Sequence, residues 1–145
     1  MPRELTIERV VPGGSGLGRL DGLLCSLHGA MVGQGEEDVE GAVLGVVREA
    51  VGPDMVLMLD PFGVYTLEES IWVGQQLEEL GFYWLEHPMI ETRVEAYRRL
   101  CRELRIAVCS PEHAPGGPFT RAEWVLQGAS DMSRIDVGYG GIPGS

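Results

Sequence analysis

Three carboxylates recur at a constant interval along the chain. Asp60, Glu86 and Glu112 each stand at the C-terminal end of an apolar run, and the two intervals are equal (86 − 60 = 26 and 112 − 86 = 26). Since one βα repeat has about this length, equal phase would bring the three side chains to one height on the same rim. Three converging anions repel one another unless a cation lies between them. Hard oxygen ligands favour Mg²⁺, with Mn²⁺ or Ca²⁺ as alternatives; three unrelated polar residues at strand ends are the competing interpretation.

The elements that must position these residues form a regular alternation. Short apolar runs predict strands at 23–27, 55–60, 82–86, 106–112 and 133–139. Amphipathic segments predict helices at 39–51, 67–80, 91–104 and 121–129. Continuous apolar strands between amphipathic helices indicate a parallel sheet that is buried on both faces. The predicted fold class is therefore α/β, with parallel βα repeats forming a partial TIM-type barrel, about half of a closed barrel that usually takes ~250 residues.

Two parts of the chain differ in composition. Residues 1–22 are Gly-rich and predict a short β-hairpin-like segment, whereas residues 23–145 carry the partial barrel. No run reaches the ~18 apolar residues of a membrane span. The first residues have no signal-peptide pattern, so we expect a soluble, cytoplasmic protein.

Polar residues at predicted helix ends specify several boundaries. Thr66 and Glu69 form a capping-box pattern at the start of the second helix, and Gly81 is expected to end that helix. Asp38 is the expected N-cap of the first helix and Thr120 that of the last one.

The histidines add a second kind of ligand to the same rim. His28, His87 and His113 all fall at predicted strand ends, where a neutral imidazole could serve as a base or a metal ligand. With the carboxylates they could also hold Zn²⁺. Because His87 and His113 directly follow Glu86 and Glu112, strand alternation would direct them away from the ion. We therefore favour His28 as the base, and we expect His87 and His113 to contact the metal ligands without binding the ion.

The charge balance excludes several classes of function. The formal charge is −11, and all eleven basic residues are arginines. The absence of lysine excludes Schiff-base chemistry and a P-loop, and the acidic balance argues against a nucleic-acid partner. The three cysteines, Cys25, Cys101 and Cys109, do not form a disulfide framework and are expected to be reduced.

Several longer motifs resemble one known family. The stretches "VREAVGPDMVLMLDPFGVYTLEES", "YWLEHP", "SPEH" and "DVGYGGI", within residues 39–142, resemble the mandelate racemase-like branch of the enolase superfamily in order and spacing. That resemblance implies a modified (β/α) barrel with a capping domain, and one Mg²⁺ held by Asp60, Glu86 and Glu112. It further implies removal of the α-proton of a carboxylate substrate, the step that racemases and acid-sugar dehydratases share.

The chain departs from the family pattern at positions that matter for catalysis. Phe62 stands where the family often has Asn, and His87 interrupts the common Glu-Glu-Pro. The family's second-strand base is commonly Lys, and His28 occupies that slot here. Asp136 resembles the Asp of the family's His–Asp dyad, so the resemblance implies catalytic roles for His28 and Asp136. We expect the last two strands and most of the capping domain to be missing.

The first residues resemble other proteins. "LTIERVVPGGSGLGRLDG" resembles the opening of the TRAM domain of RNA methyltransferases, and "LLCSLHGAMV" resembles a segment of microcystin-degrading metallopeptidases. An assembled, chimeric chain would explain these similarities, and so would a strongly diverged enolase-type gene.

Three functions remain open from the sequence. The first is a Mg²⁺-binding enolase-type barrel that acts on a small carboxylate or acid-sugar substrate. The second is a non-catalytic α/β domain that forms a homo-oligomer to cover its open sheet edges. The third is a metal-dependent hydrolase with a Zn²⁺ site of histidine and carboxylate. None of them involves nucleic acid or a membrane.

Overall fold

The computed structural model describes residues 39–134. Within that range the helices and strands alternate in the order α1 (Val39–Val51), α2 (Leu67–Glu79), β1 (Trp84–Glu86), α3 (Val94–Glu103), β2 (Ala107–Cys109) and α4 (Gly117–Leu126). Several predicted features lie outside the described residues: the segment 1–22, the strand at 23–27, the N-cap Asp38 and most of the last strand. None of the described helices is long and apolar enough to cross a membrane.

Four chain segments lie side by side in parallel. β1 and β2 pair with Leu85 opposite Val108, and single parallel bridges add Leu59 beside Leu85 and Met132 beside Cys109. Each segment is separated from the next by a helix, so the chain forms parallel βα repeats. The structure confirms the predicted α/β class and the partial barrel, although the predicted strand at 55–60 is reduced to one bridge.

The core lies between these strands and the helices. Leu59, Leu85 and Val108 occupy equivalent positions on neighbouring segments and are almost completely buried. The ring of Tyr97 from α3 packs against Trp124 from α4, with centroids 4.8 Å apart. Alternation along each strand therefore sends one set of side chains into this core, and the residues next to them toward the opposite face of the sheet.

Local polar contacts fix where α2 begins. The Thr66 hydroxyl accepts a hydrogen bond from the Glu69 amide (3.3 Å), and the Glu69 carboxylate accepts one from the Thr66 amide (2.7 Å). The predicted capping box is therefore confirmed. After the helix, Gly81 has φ +65°, a conformation that glycine adopts without steric cost.

The predicted start of α4 is wrong. Gly116, with φ +107°, is the N-cap, and Pro118 lies in the first turn of the helix. Thr120 is inside the helix, where its hydroxyl donates to the Pro115 carbonyl at 2.6 Å. The proline starts the helix earlier than the threonine because its fixed φ suits the first helical turn, and Gly116 supplies the left-handed turn before it.

The helix α3 also begins later than predicted, at Val94 rather than at residue 91. The carboxylate of Glu91 is used elsewhere, in contacts with the loop after β2. The thiols of Cys101 and Cys109 are both free, as expected for reduced cysteines.

Candidate metal centre

The three regularly spaced carboxylates converge at the carboxyl ends of neighbouring strands. Asp60 follows the bridge at Leu59, Glu86 ends β1, and Glu112 lies three residues beyond β2. Each offers an oxygen atom, and these three atoms lie within 4.8 Å of one another. Glu86 and Glu112 are buried, whereas Asp60 is partly exposed. The constant interval in the sequence thus corresponds to a common height on one rim.

Arg134 places a positive charge among these carboxylates. Its guanidinium contacts Glu86 Oε1, lies 3.3 Å from Glu112 Oε1 and lies 3.7 Å from Asp60 Oδ2. The pKa of Arg134 is raised, first by its hydrogen bond to Glu86 and also by the charges of the three carboxylates. No motif in the sequence indicates a role for Arg134, and only its position at the start of the last predicted strand could have drawn attention to it.

The surroundings of Asp60 raise the pKa of its carboxyl group. Burial raises the pKa of Asp60, and the charge of Glu86 raises it further. The Phe62 amide donates to Asp60 Oδ1 at 3.0 Å and partly opposes this rise. Phe62 itself has φ +59°, an uncommon conformation for a residue with a side chain. A cation beside Asp60 would favour its ionised form.

The donor set fits Mg²⁺. Three carboxylates supply the hard oxygen ligands that Mg²⁺ prefers, and the cluster already attracts one cationic side chain. The indole Nε1 of Trp84 donates to Glu86 Oε2 at 3.1 Å and orients that carboxylate. A cavity of about 280 Å³ lies beside the cluster and is lined by Met58, Leu59, Asp60, Trp84, Glu86 and Arg134.

Glu91 holds the loop that carries Glu112. Its carboxylate is buried and accepts hydrogen bonds from the Ser110 hydroxyl (2.5 Å) and from the amides of Glu112 (2.7 Å) and Ala114 (3.0 Å). The amide of His113 donates to the same carboxylate. The sequence pattern predicted Glu91 at the start of a helix and did not indicate this role, because nothing in its spacing links it to a loop 21 residues away.

Arg121 ties the same loop to the chain segment of Arg134. From α4, its Nη2 donates to the Glu112 carbonyl at 2.8 Å and its Nε donates to the Arg134 carbonyl at 3.1 Å. Arg121 is buried, so these contacts are shielded from water. Arg121 thereby fixes the backbone of Glu112 and the backbone of Arg134, whose guanidinium contacts the Glu112 carboxylate.

His87 and His113 both face Glu112. Their Nδ1 atoms lie 3.6 Å and 3.7 Å from the same oxygen, Glu112 Oε2. β1 ends at Glu86, and His87 has φ +40°, so strand alternation does not govern the direction of its side chain. The two histidines thus lie next to a proposed ligand, whereas the proposed catalytic residues His28 and Asp136 lie outside the described residues.

Comparison with protein families identifies relatives of this chain. The family described as "Enolase C-terminal domain-like" matches residues 26–144. Arabinonate dehydratase from Saccharolobus solfataricus is 35% identical over 111 residues, which cover 74% of this chain and 28% of that protein. D-galactarolactone cycloisomerase from Agrobacterium fabrum is 36% identical over 108 residues, with the same coverage of 74% and 28%. The TRAM-like stretch precedes the matched residues, so that resemblance stays a prediction.

Solved structures give the same relationship. D-glucarate dehydratase from Agrobacterium tumefaciens, complexed with magnesium, superposes with a TM-score of 0.70 and 39% identity over 80% of this chain and 31% of that one. L-talarate/galactarate dehydratase from Salmonella typhimurium has a TM-score of 0.66 and 26% identity over 76% of this chain and 28% of that one. The chain thus spans about three tenths of the length of these relatives.

Proposed function

Because this chain belongs to the enolase C-terminal domain-like family, we propose that it is the metal-binding part of an enolase-type barrel. Its reaction would be Mg²⁺-assisted removal of the proton next to a substrate carboxylate. The observation that carries the proposal is the convergence of three carboxylates, within 4.8 Å of one another, at the carboxyl ends of adjacent parallel segments. In barrels of this type the catalytic residues lie at that end.

Asp60, Glu86 and Glu112 are the proposed Mg²⁺ ligands. The ion would supply the positive charge that stabilises an anion formed on the substrate. The chain's own residues prepare the site, since Trp84 orients Glu86 and Glu91 fixes the loop of Glu112. Arg134 offsets the repulsion among the carboxylates and would have to release them to an incoming ion.

The names of the relatives support an acid-sugar substrate. Arabinonate, D-glucarate and galactarate all carry the carboxylate next to a carbon that bears a proton. We therefore propose a small carboxylate, an acid sugar, as the substrate class, with dehydration or isomerisation as the outcome. His28 is the proposed base because it occupies the slot where the family commonly has Lys, and Asp136 is a second proposed catalytic residue because it resembles the Asp of the family's His–Asp dyad.

Metal binding by the full chain tests the proposal. Isothermal titration should give roughly one Mg²⁺ per chain, and Mg²⁺ at 100 times its Kd should add about 2.7 kcal/mol to the free energy of unfolding. Glu86→Ala should abolish both effects. Glu95→Ala removes a carboxylate from the exposed surface of α3 and is the matched control. Unchanged Mg²⁺ affinity in Glu86→Ala would refute the proposed site.

A second candidate function is self-association of the partial barrel. Large apolar side chains, Val56 and Met58, are 55% and 38% exposed on the segment before Asp60, and a second copy of the chain would cover them. Light scattering at micromolar concentration should then give a homo-oligomer, and a monomer would contradict this candidate.

We also propose that Mn²⁺ or Zn²⁺ can take the place of Mg²⁺, that the protein is cytoplasmic, and that its first residues have an assembled origin. A chelated sample reloaded with each ion in turn tests the first of these, because only a binding ion should raise the melting temperature.

A further inference from the structure

We propose that a second metal site lies beside the three-carboxylate cluster, formed by His87, His113 and the Oε2 atom of Glu112. The donor set of two imidazoles and one carboxylate suits a borderline ion such as Zn²⁺. This site is additional to the proposed Mg²⁺ site and does not require it. Glu112 is the one residue that the two sites share.

The distances from Glu112 Oε2 to the two imidazoles suit donors of one ion. His87 Nδ1 lies 3.6 Å from Glu112 Oε2, and His113 Nδ1 lies 3.7 Å from the same oxygen. Both distances are too long for direct hydrogen bonds. Ligands of a tetrahedral Zn²⁺ with bonds of about 2.0–2.1 Å lie about 3.3–3.4 Å apart, so only a small adjustment is needed.

Two of these donor atoms are buried without a hydrogen-bond partner. They are His87 Nδ1 and Glu112 Oε2, and the two side chains are only 8% and 5% exposed. A buried polar atom without a hydrogen-bond partner is destabilising, so native structures rarely leave two of them facing each other. One ion between them would satisfy both atoms.

The two oxygens of Glu112 face different partners. Oε1 lies 3.3 Å from Arg134, on the side of Asp60 and Glu86, whereas Oε2 faces the histidines. A carboxylate can bind one ion through each oxygen, so Glu112 could bridge the two sites. Occupation of one site therefore need not displace the ion from the other.

Glu91 supports this site without acting as its ligand. Its oxygens lie close enough to His87 and His113 to form a group of donors within 4.8 Å of one another. However, both oxygens already accept hydrogen bonds from Ser110 and from backbone amides of the Glu112 loop. The carboxylate with an unused oxygen is Glu112.

Packing holds the two imidazoles in place. Their ring centroids are 5.1 Å apart, and the ring of Phe62 lies against both, at 5.4 Å from His87 and 5.5 Å from His113. The side chain of His113 is 25% exposed, which leaves a path for an ion from solvent. Orientation by neighbours and an entry path are both required of a functional metal site.

Titration of Zn²⁺ into the full chain in the presence of saturating Mg²⁺ tests the proposal. We expect one further equivalent of Zn²⁺ to bind. His87→Gln and His113→Gln should each weaken its affinity by at least tenfold, since each removes a ligand. Glu95→Gln, on the exposed surface of α3, is the control variant and should bind Zn²⁺ as the wild type does.

Asp60→Asn separates this proposal from the proposed function. It should lose Mg²⁺ and retain Zn²⁺, because Asp60 contributes only to the three-carboxylate cluster. A wild-type chain that binds Zn²⁺ but not Mg²⁺ would refute the proposed function and would leave the second site supported. Wild-type Zn²⁺ affinity in both His87→Gln and His113→Gln, or Zn²⁺ that only competes with Mg²⁺, would overturn the second site.

X-ray absorption of the Zn²⁺-loaded wild type gives an answer that does not depend on whether the variants fold. The spectrum should contain scattering from two imidazole ligands and no sulfur. A spectrum with sulfur ligands, or with fewer than two imidazoles, would overturn the assignment.

Discussion

Replacement of Glu91 by alanine should destabilise the chain strongly, because Glu91 anchors the loop that carries Glu112. Glu91 is 6% exposed, and it accepts hydrogen bonds from the Ser110 hydroxyl and from the amides of Glu112, His113 and Ala114. Alanine would leave these four donors without an acceptor. Each unsatisfied buried group costs about 1–3 kcal/mol, and partial rehydration of the loop should limit the total to about 3–5 kcal/mol.

Urea unfolding followed by tryptophan fluorescence measures this loss. Glu91→Gln keeps the size of the side chain but turns one acceptor into a donor, so we expect an intermediate loss of about 1–3 kcal/mol. Glu95→Ala is the matched control, because Glu95 is exposed and pairs with Arg98 on the surface of α3; it should change stability by less than about 0.5 kcal/mol. A loss below about 1 kcal/mol in Glu91→Ala would refute the reasoning, since the four donors would then have other partners.

Further predictions concern a helix cap, the site arginine and a thiol. Thr66→Ala should cost about 1 kcal/mol in urea unfolding, because the capping box loses the hydroxyl that accepts at the start of α2; no loss would contradict the cap's role. Arg134→Met should bind Mg²⁺ about tenfold more tightly in isothermal titration, since Arg134 is 47% exposed, each of its three ion pairs is worth about 0.2–1 kcal/mol, and none of them competes with the ion in the variant; weaker binding would contradict competition. Burial raises the pKa of Cys109 to about 11, so at pH 8 its thiol should be almost fully protonated. In a Cys25→Ser, Cys101→Ser double variant it should therefore react with a thiol reagent only after urea unfolding, and rapid labelling of the folded protein would contradict this.

The convergence of the three carboxylates was predictable because it depends on a local repeat. Each βα unit has its own strand, helix and turn signals, and a constant unit length keeps Asp60, Glu86 and Glu112 in phase. The capping box at Thr66 was predictable for a similar reason, since its partner is only three residues away.

The supporting contacts were not predictable because they join distant parts of the chain. Glu91 contacts a loop 21 residues later, and Arg134 contacts Glu86 across 48 residues. A single sequence has no periodicity that links such pairs. The start of α4 was missed for a local reason: Pro118 and the glycine turn before it begin the helix ahead of Thr120.

The direction of the histidines depended on where a strand stops. Strand alternation predicted that His87 would turn away from the ligands, but β1 ends at Glu86 and the backbone of His87 has φ +40°. The imidazole consequently faces Glu112. A sequence pattern fixes a strand end only to within a few residues. Here the end of β1 at Glu86, one residue before His87, decides that the imidazole faces Glu112.

Anomalous diffraction from crystals of the full chain soaked with Mn²⁺ tests the central claim most directly, because Mn²⁺ takes the same oxygen ligands as Mg²⁺ and is located by its own scattering. We predict an anomalous peak within about 2.5 Å of one oxygen each from Asp60, Glu86 and Glu112, with the Arg134 guanidinium no longer between them. Mn²⁺ bound elsewhere, or three carboxylates that remain paired with Arg134 at saturating Mn²⁺, would contradict the account.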